Sequence, residues 1–127
     1  MSEIYYVGPL PVPFDIKLYQ GADFAHSMEY KDGNDSPVDL TGYKAQMQIR
    51  EEDTHALLLD LNTVDGGITI VEATGIIGIT ITSAQSSAFE VQKAKYDLLL
   101  KSSDGTITYL LYGDFIVTPR VTRESIP

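Results

Sequence analysis

The chain has 127 residues, 43% of them hydrophobic, and a formal net charge of −9. That length suits one domain with a core and excludes both a disordered tail and two ordinary domains. The acidic balance repels phosphate backbones and anionic lipid, so neither nucleic acid nor a membrane is an expected partner, and the lack of cysteine excludes disulfides and thiolate metal sites.

Met1 to Val12 has no basic flank and no long apolar run, so it does not read as a signal peptide. No stretch approaches the roughly 20 apolar residues of a membrane span. A soluble protein made in a cytoplasm is expected. Pro9, Pro11 and Pro13 alternate in the first residues. Proline fixes φ and gives no N–H to a ladder, so residues 1–13 are expected as an extended arm outside the sheet. Tyr5 and Tyr6 sit in this arm without an evident core partner. Either the arm is a frayed end or it lies on a neighbouring subunit.

Residues 14–119 read as one β-sandwich domain and residues 120–127 as a polar tail. Phe14 to Tyr19 forms a first strand, with Phe14, Ile16 and Leu18 on one face. Asp23 to Lys31 forms a second, with Phe24, His26, Met28 and Tyr30 on one face. The third follows the turn Asp39-Leu40-Thr41-Gly42. In it Tyr43, Ala45, Met47 and Ile49 alternate with Lys44, Gln46, Gln48 and Arg50, the mark of a half-buried antiparallel strand. Ala56 to Leu61, Ile68 to Glu72 and Ile76 to Thr82 follow as strands, separated by Asn62, Asp65-Gly66-Gly67 and Ala73-Thr74-Gly75. Ser83 to Glu90 is a short helical stretch capped by Ser83, with Ala84, Ala88 and Phe89 inward. Ala94 to Lys101 and Thr106 to Thr118 make a hairpin through Ser103-Asp104-Gly105.

About eight short strands with turns every eight to twelve residues, plus one helical turn, predict an all-β, antiparallel, immunoglobulin-like sandwich. The expected core contains Tyr43, Met47, Ile79, Tyr96, Leu98, Ile107 and Leu111. Tyr96 stands where that fold carries a corner tyrosine, and Leu98 where it carries its second cysteine.

Little chemistry is expected. His26 reads as a core or rim histidine and His55 as solvated. Asp32-Gly33-Asn34-Asp35 lacks the spacing of a calcium loop, and Glu51-Glu52-Asp53 reads as a solvated acidic loop. Ser86-Ser87 has no nucleophile elbow around it, and no glycine pair precedes a helix as a phosphate loop would. No cofactor, metal site or enzyme activity is expected.

One face does not fit its strand pattern. On the last two strands the side opposite the expected core carries Leu99, Leu110 and Tyr112, and Leu58 joins them if Leu57, Leu59 and Leu61 point inward. Exposed apolar clusters mark interaction surfaces. A partner interface of Leu58, Leu99, Leu110 and Tyr112, joined by Tyr5 and Tyr6 of the arm, is the expected site. The alternative is that the arm itself covers this patch.

The series Gln20-Gly21-Ala22-Asp23-Phe24, Val38-Asp39-Leu40-Thr41-Gly42-Tyr43, Gln48-Ile49-Arg50, Tyr96-Asp97-Leu98, Gly113, Val117-Thr118-Pro119 and Val121-Thr122-Arg123 resembles small structural proteins of tailed bacteriophages from the head and tail genes. It is also similar to the N-terminal β-sandwich of phage upper baseplate proteins. The resemblance spans about Asp15 to Arg123. It implies a virion component of the tail, baseplate or fibre attachment, assembled in the host cytoplasm. Such a component acts through contacts with other virion proteins and as a homo-oligomer. A carbohydrate- or receptor-binding sandwich is the alternative, since eight tyrosines supply aromatic surface.

Overall fold

The computed structural model describes residues 11–126. Nine strands and one short helix follow in order: β1 (Val12–Pro13), β2 (Ile16–Tyr19), β3 (Phe24–Glu29), β4 (Lys44–Glu51), β5 (Leu57–Asn62), β6 (Ile68–Val71), β7 (Ile76–Ile81), α1 (Ser83–Ser87), β8 (Lys93–Lys101) and β9 (Ile107–Thr118). One sheet runs β1-β9-β8-β4-β5, with β2 also on β9. The other runs β3-β7-β6. If β3 to β9 are matched in order to strands B to G of an immunoglobulin domain, the two sheets have the order of its variable-type GFCC′ and BED layers. The expected all-β sandwich is what the chain forms.

Pairing is antiparallel except at the N-terminus. There β1 and β2 both run parallel to β9, with Val12 beside Leu111 and Ile16 beside Phe115. This corrects the expectation that the prolines keep the whole arm outside the sheet. Pro13 lies on an edge, where its missing N–H breaks no ladder, and Phe14 N–H resumes the pairing by donating to Tyr112 O at 2.8 Å. The rest of the arm, with Tyr5 and Tyr6, lies outside the described residues.

The core lies between the sheets. Ala45, Met47 and Ile49 of β4 and Ile77, Ile79 and Ile81 of β7 are part of it, with Leu98, Leu100, Leu111 and Phe115 among the large sheet's other buried residues. Each fully buried side chain of this size contributes roughly 1.5–3 kcal/mol relative to exposure. Tyr43 is only half-buried at its margin.

Two β-bulges reset which residues face that core. Leu98 pairs with Leu111 but Leu99 with Tyr109, so Leu110 is an extra residue on β9. Likewise Ile49 pairs with Leu59 but Arg50 with Leu57, so Leu58 is extra on β5. A bulge places two residues opposite one and shifts the in–out alternation by one step. Leu110 and Leu111 are accordingly both buried, at 0% exposure, and Ile107, expected inside, is 53% exposed. Leu58 and Leu59 are both packed against the core, while Leu57, expected inward, is 49% exposed.

The helix is shorter than expected and starts one residue earlier. Thr82, not Ser83, is the cap. Its side chain accepts from Gln85 N–H at 3.1 Å, and Gln85 Oε1 accepts from Thr82 N–H at 2.9 Å. Ser86 replaces Ala84 and Ala88 as an inward residue beside Phe89. Its buried hydroxyl donates to Ala22 O at 2.8 Å and accepts from Gly21 N–H at 3.0 Å, stapling α1 to the β2–β3 turn.

Tyr96 fills the corner position, but its bond is long-range. The hydroxyl donates to Phe14 O, between β1 and β2, rather than to nearby chain. Burial pushes the phenol's pKa up. Gly113 is paired with Tyr96 and makes the bond possible. A Cβ there would stand 2.6 Å from Phe14 O and 2.8 Å from Asp15 Oδ1. Gly113→Val should therefore push the N-terminal strands off β9 and cost about 1–3 kcal/mol, the usual range for overpacking. An unchanged denaturation midpoint would show that Phe14 is not held against this glycine.

Candidate functional site

The outer face of the large sheet can be read row by row from its register. The first row joins Tyr112, Asp97, Gln48 and Asp60, and the second joins Tyr109, Leu99, Gln46 and Asn62. A third joins Ile107, Lys101 and Lys44. A fourth, beyond Tyr112, joins Asp114, Lys95, Arg50 and Leu57. The face has two halves of different chemistry, and the difference follows from which residues the two bulges leave outside.

The β4–β5 half is polar and internally satisfied. Asp60 Oδ2 accepts from Gln46 Nε2 and Gln48 Nε2, both at 2.8 Å, and Oδ1 accepts from Asn62 Nδ2 at 2.9 Å. The bond from Gln48, then those from Asn62 and Gln46, hold the Asp60 carboxyl below its usual range. Arg50 extends the network by donating to Gln48 Oε1 at 2.8 Å and to His55 O at 3.0 Å. Nearer β9, loss of surrounding water raises the pKa of Asp97, against the pull of Arg50. Lys95 pairs with Asp114 and, at 3.6 Å, with Glu52. The bond between them lowers the pKa of Asp114 and raises that of Lys95.

The β8–β9 half carries an open apolar strip between charged residues. Tyr109 is 43% exposed, Tyr112 46% and Ile107 53%, with half-buried Leu99 among them. Of the expected interface residues, Leu99 and Tyr112 are on this surface. Leu110 and Leu58 are not, because each is the extra residue of a bulge and turns inward. Ile107, expected in the core, and Tyr109, which strict alternation puts on the same side as Ile107 and Leu111, take their place. The signal that could have shown this is the run Tyr109-Leu110-Leu111-Tyr112. Two aromatic residues flank two aliphatic ones, and period two cannot bury both leucines without a bulge.

Charge is also uneven. Lys44, Arg50, Lys93, Lys95 and Lys101 project from this face against the carboxylates Asp60, Asp97 and Asp114. With Lys17 of β2, which shares a row with Lys93, six of the chain's nine basic residues thus lie on one face of a chain with net charge −9. Lys44 and Lys101 are direct cross-strand partners, and neither has an ion pair among the described residues. Like charges set opposite each other are unfavourable until a counter-charge arrives.

The other sequence candidates serve local structure. Asp32 Oδ1 accepts from Asn34 N–H at 2.8 Å and Ser36 N–H at 3.1 Å, closing its own loop. Glu51 Oε2 accepts from Asp53 N–H at 2.7 Å and Thr54 N–H at 2.8 Å, and these bonds hold its pKa down. His26 stacks on Phe14 with ring centroids 4.8 Å apart, and burial lowers its pKa. Among the described residues no cluster of three or more histidine or carboxylate side chains is placed to hold a metal ion, and no helix is long and apolar enough to cross a membrane.

No family model matches the chain, and no curated protein sequence is similar to it. Its fold is similar to a solved structure, the N-terminal domain of phage TP901-1 ORF48, with a TM-score of 0.54 and 10% sequence identity. The match covers 91% of this chain and 95% of that domain. The resemblance to the N-terminal sandwich of a phage baseplate protein, first drawn from punctuating turns, therefore holds at the level of fold.

Proposed function

We propose that this chain is a non-enzymatic structural or adaptor component of a tailed-bacteriophage virion, in the tail, baseplate or fibre attachment, acting through protein–protein contacts. The observation that carries the reading is the open apolar strip of Tyr109, Tyr112, Ile107 and Leu99 beside an unneutralised lysine pair. Side chains of this size forgo several kcal/mol when left in water, at roughly 1.5–3 kcal/mol for each one fully buried. A strip of this kind is expected to be covered in the working assembly. The likeness in fold to a phage domain supplies the setting. The chain assembles in the host cytoplasm and remains in the particle.

A glycan- or receptor-binding role is the second reading. Tyr109 lines an open concavity of about 530 Å³ with Gln48, Arg50, Lys95 and Asp97, which joins an aromatic ring to polar groups as a sugar site would.

The test is incorporation. Leu99→Lys with Tyr109→Glu should give a folded β protein that is missing from purified particles, while the wild-type protein is present in them. Absence of the wild-type protein from particles would overturn the virion role. Normal incorporation of the double variant would move the interface off this face. Glycan binding by the isolated wild-type chain, lost in the same variant, would favour the second reading.

A further inference from the structure

The outer face of the small sheet is the converse of the strip just described. Ser27, Gly78 and Thr69 form one of its rows, and Ala25 and Thr80 the next. These short side chains leave an open concavity of about 290 Å³. Gly78 belongs to it because a Cβ there would meet Thr69 Oγ1 at 2.8 Å. One end of the trough is the row Glu29, Ile76 and Val71, an acid beside two apolar side chains. At the other end stands exposed Asp23.

The rows of the two outer faces match in order. Ile107 with Lys101 and Lys44 has the chemistry to meet Ile76 and Val71 with Glu29. The protruding rings of Tyr109 and Tyr112 suit the two rows of small residues. Lys95 and Arg50, at the far end, suit Asp23. Rows on one face of a strand recur about every 6.8 Å and strands lie about 4.8 Å apart, so both patterns have the same spacing.

We propose that the large-sheet outer face of one copy packs head to tail on the small-sheet outer face of the next copy of this chain. Charge favours that occupant. The large-sheet face holds most of the chain's basic residues, so the remainder of every copy is acidic and attracts it. Area sets the strength. Four rows on three strands cover about 300–400 Å² in projection from those same spacings, well under the roughly 800 Å² per partner of a standard stable interface. A single contact is therefore weak and concentration-dependent. Because the two surfaces differ, the contact repeats from copy to copy, closing a ring or extending a filament in which many weak contacts act together.

This deepens the proposed function by naming a partner, and it is tested in solution, apart from the particle. Tyr109→Glu blocks the strip and leaves the trough free. Thr80→Arg does the reverse, and Ala25→Arg serves as a second trough variant; all three positions are exposed. Circular dichroism verifies that each variant is folded. In sedimentation equilibrium the wild-type average mass should rise with concentration, and each variant alone should stay at the monomer mass. An equimolar mixture of Tyr109→Glu with a trough variant should reach twice the monomer mass and stop there. A wild-type chain that stays monomeric at every concentration overturns the contact, and the incorporation test still decides the virion role by itself. Trough variants that associate like the wild type, or a mixture that stays monomeric, overturn it as well.

Discussion

Met47→Asp should abolish folding of the isolated chain. Met47 has 0% exposure and sits at the centre of β4, with Leu98 and Leu61 as its register partners on either side. An unpaired carboxylate there has no cation to meet. It must be buried charged or take up a proton, and either route costs several kcal/mol. Total stability for a domain of this size is about 5–15 kcal/mol, so one such substitution consumes most of it. Loss of the cooperative thermal transition is the expected readout. A variant that melts at the wild-type temperature would mean that the faces of β4 are inverted.

The second large effect separates two neighbours in sequence. Leu110→Glu should unfold the protein, whereas Tyr109→Glu should leave its melting transition nearly unchanged. Leu110 is the bulged residue and is fully buried; Tyr109 is paired with Leu99 on the outer face. Burying an unpartnered glutamate costs several kcal/mol, while surface substitutions away from special features usually stay within about 0.5 kcal/mol. Strict alternation without the bulge gives the opposite ranking. Thermal denaturation of the two variants side by side decides between them.

These two positions also show how much of the molecule can be read from its residues. The third strand was plain because Tyr43 to Arg50 alternates without interruption and its partners keep register through most of its length. The two-sheet sandwich followed from turn residues at regular intervals, and the corner tyrosine from its place ahead of Asp97-Leu98. The face of β9 was not legible in the same way. Alternation carries information only while the register holds, and a single extra residue reverses every assignment beyond it. That is why Ile107 and Leu110 exchanged places and why Leu57 and Leu58 did so on β5. The Tyr96 bond was half-legible. Its donor was evident, but its acceptor, Phe14 O, depends on β1 and β2 lying along β9, and no local pattern encodes a pairing 82 residues away. Of the expected strip, Leu99 and Tyr112 lie on the outer face of the large sheet, and Tyr109 and Ile107 stand there in place of Leu110 and Leu58.

The position of β9 has a consequence for how the chain is made. Of the described strands it is made last, yet it is central, with β8 on one side and β1 and β2 on the other. At about 5–20 residues per second, the N-terminal strands wait on the order of 5–20 s for the partner that orders them. Until then the large sheet has an open edge at β8, and a chain stalled or cut before Ile107 contains both Tyr96 and Phe14 but lacks the strand that brings them together. Such a topology folds late and slowly because its defining contacts are far apart in sequence. It also works as a completeness check: only a chain translated through β9 can order β1 and β2, so copies cut before it are kept out of any assembly that needs the finished sheet.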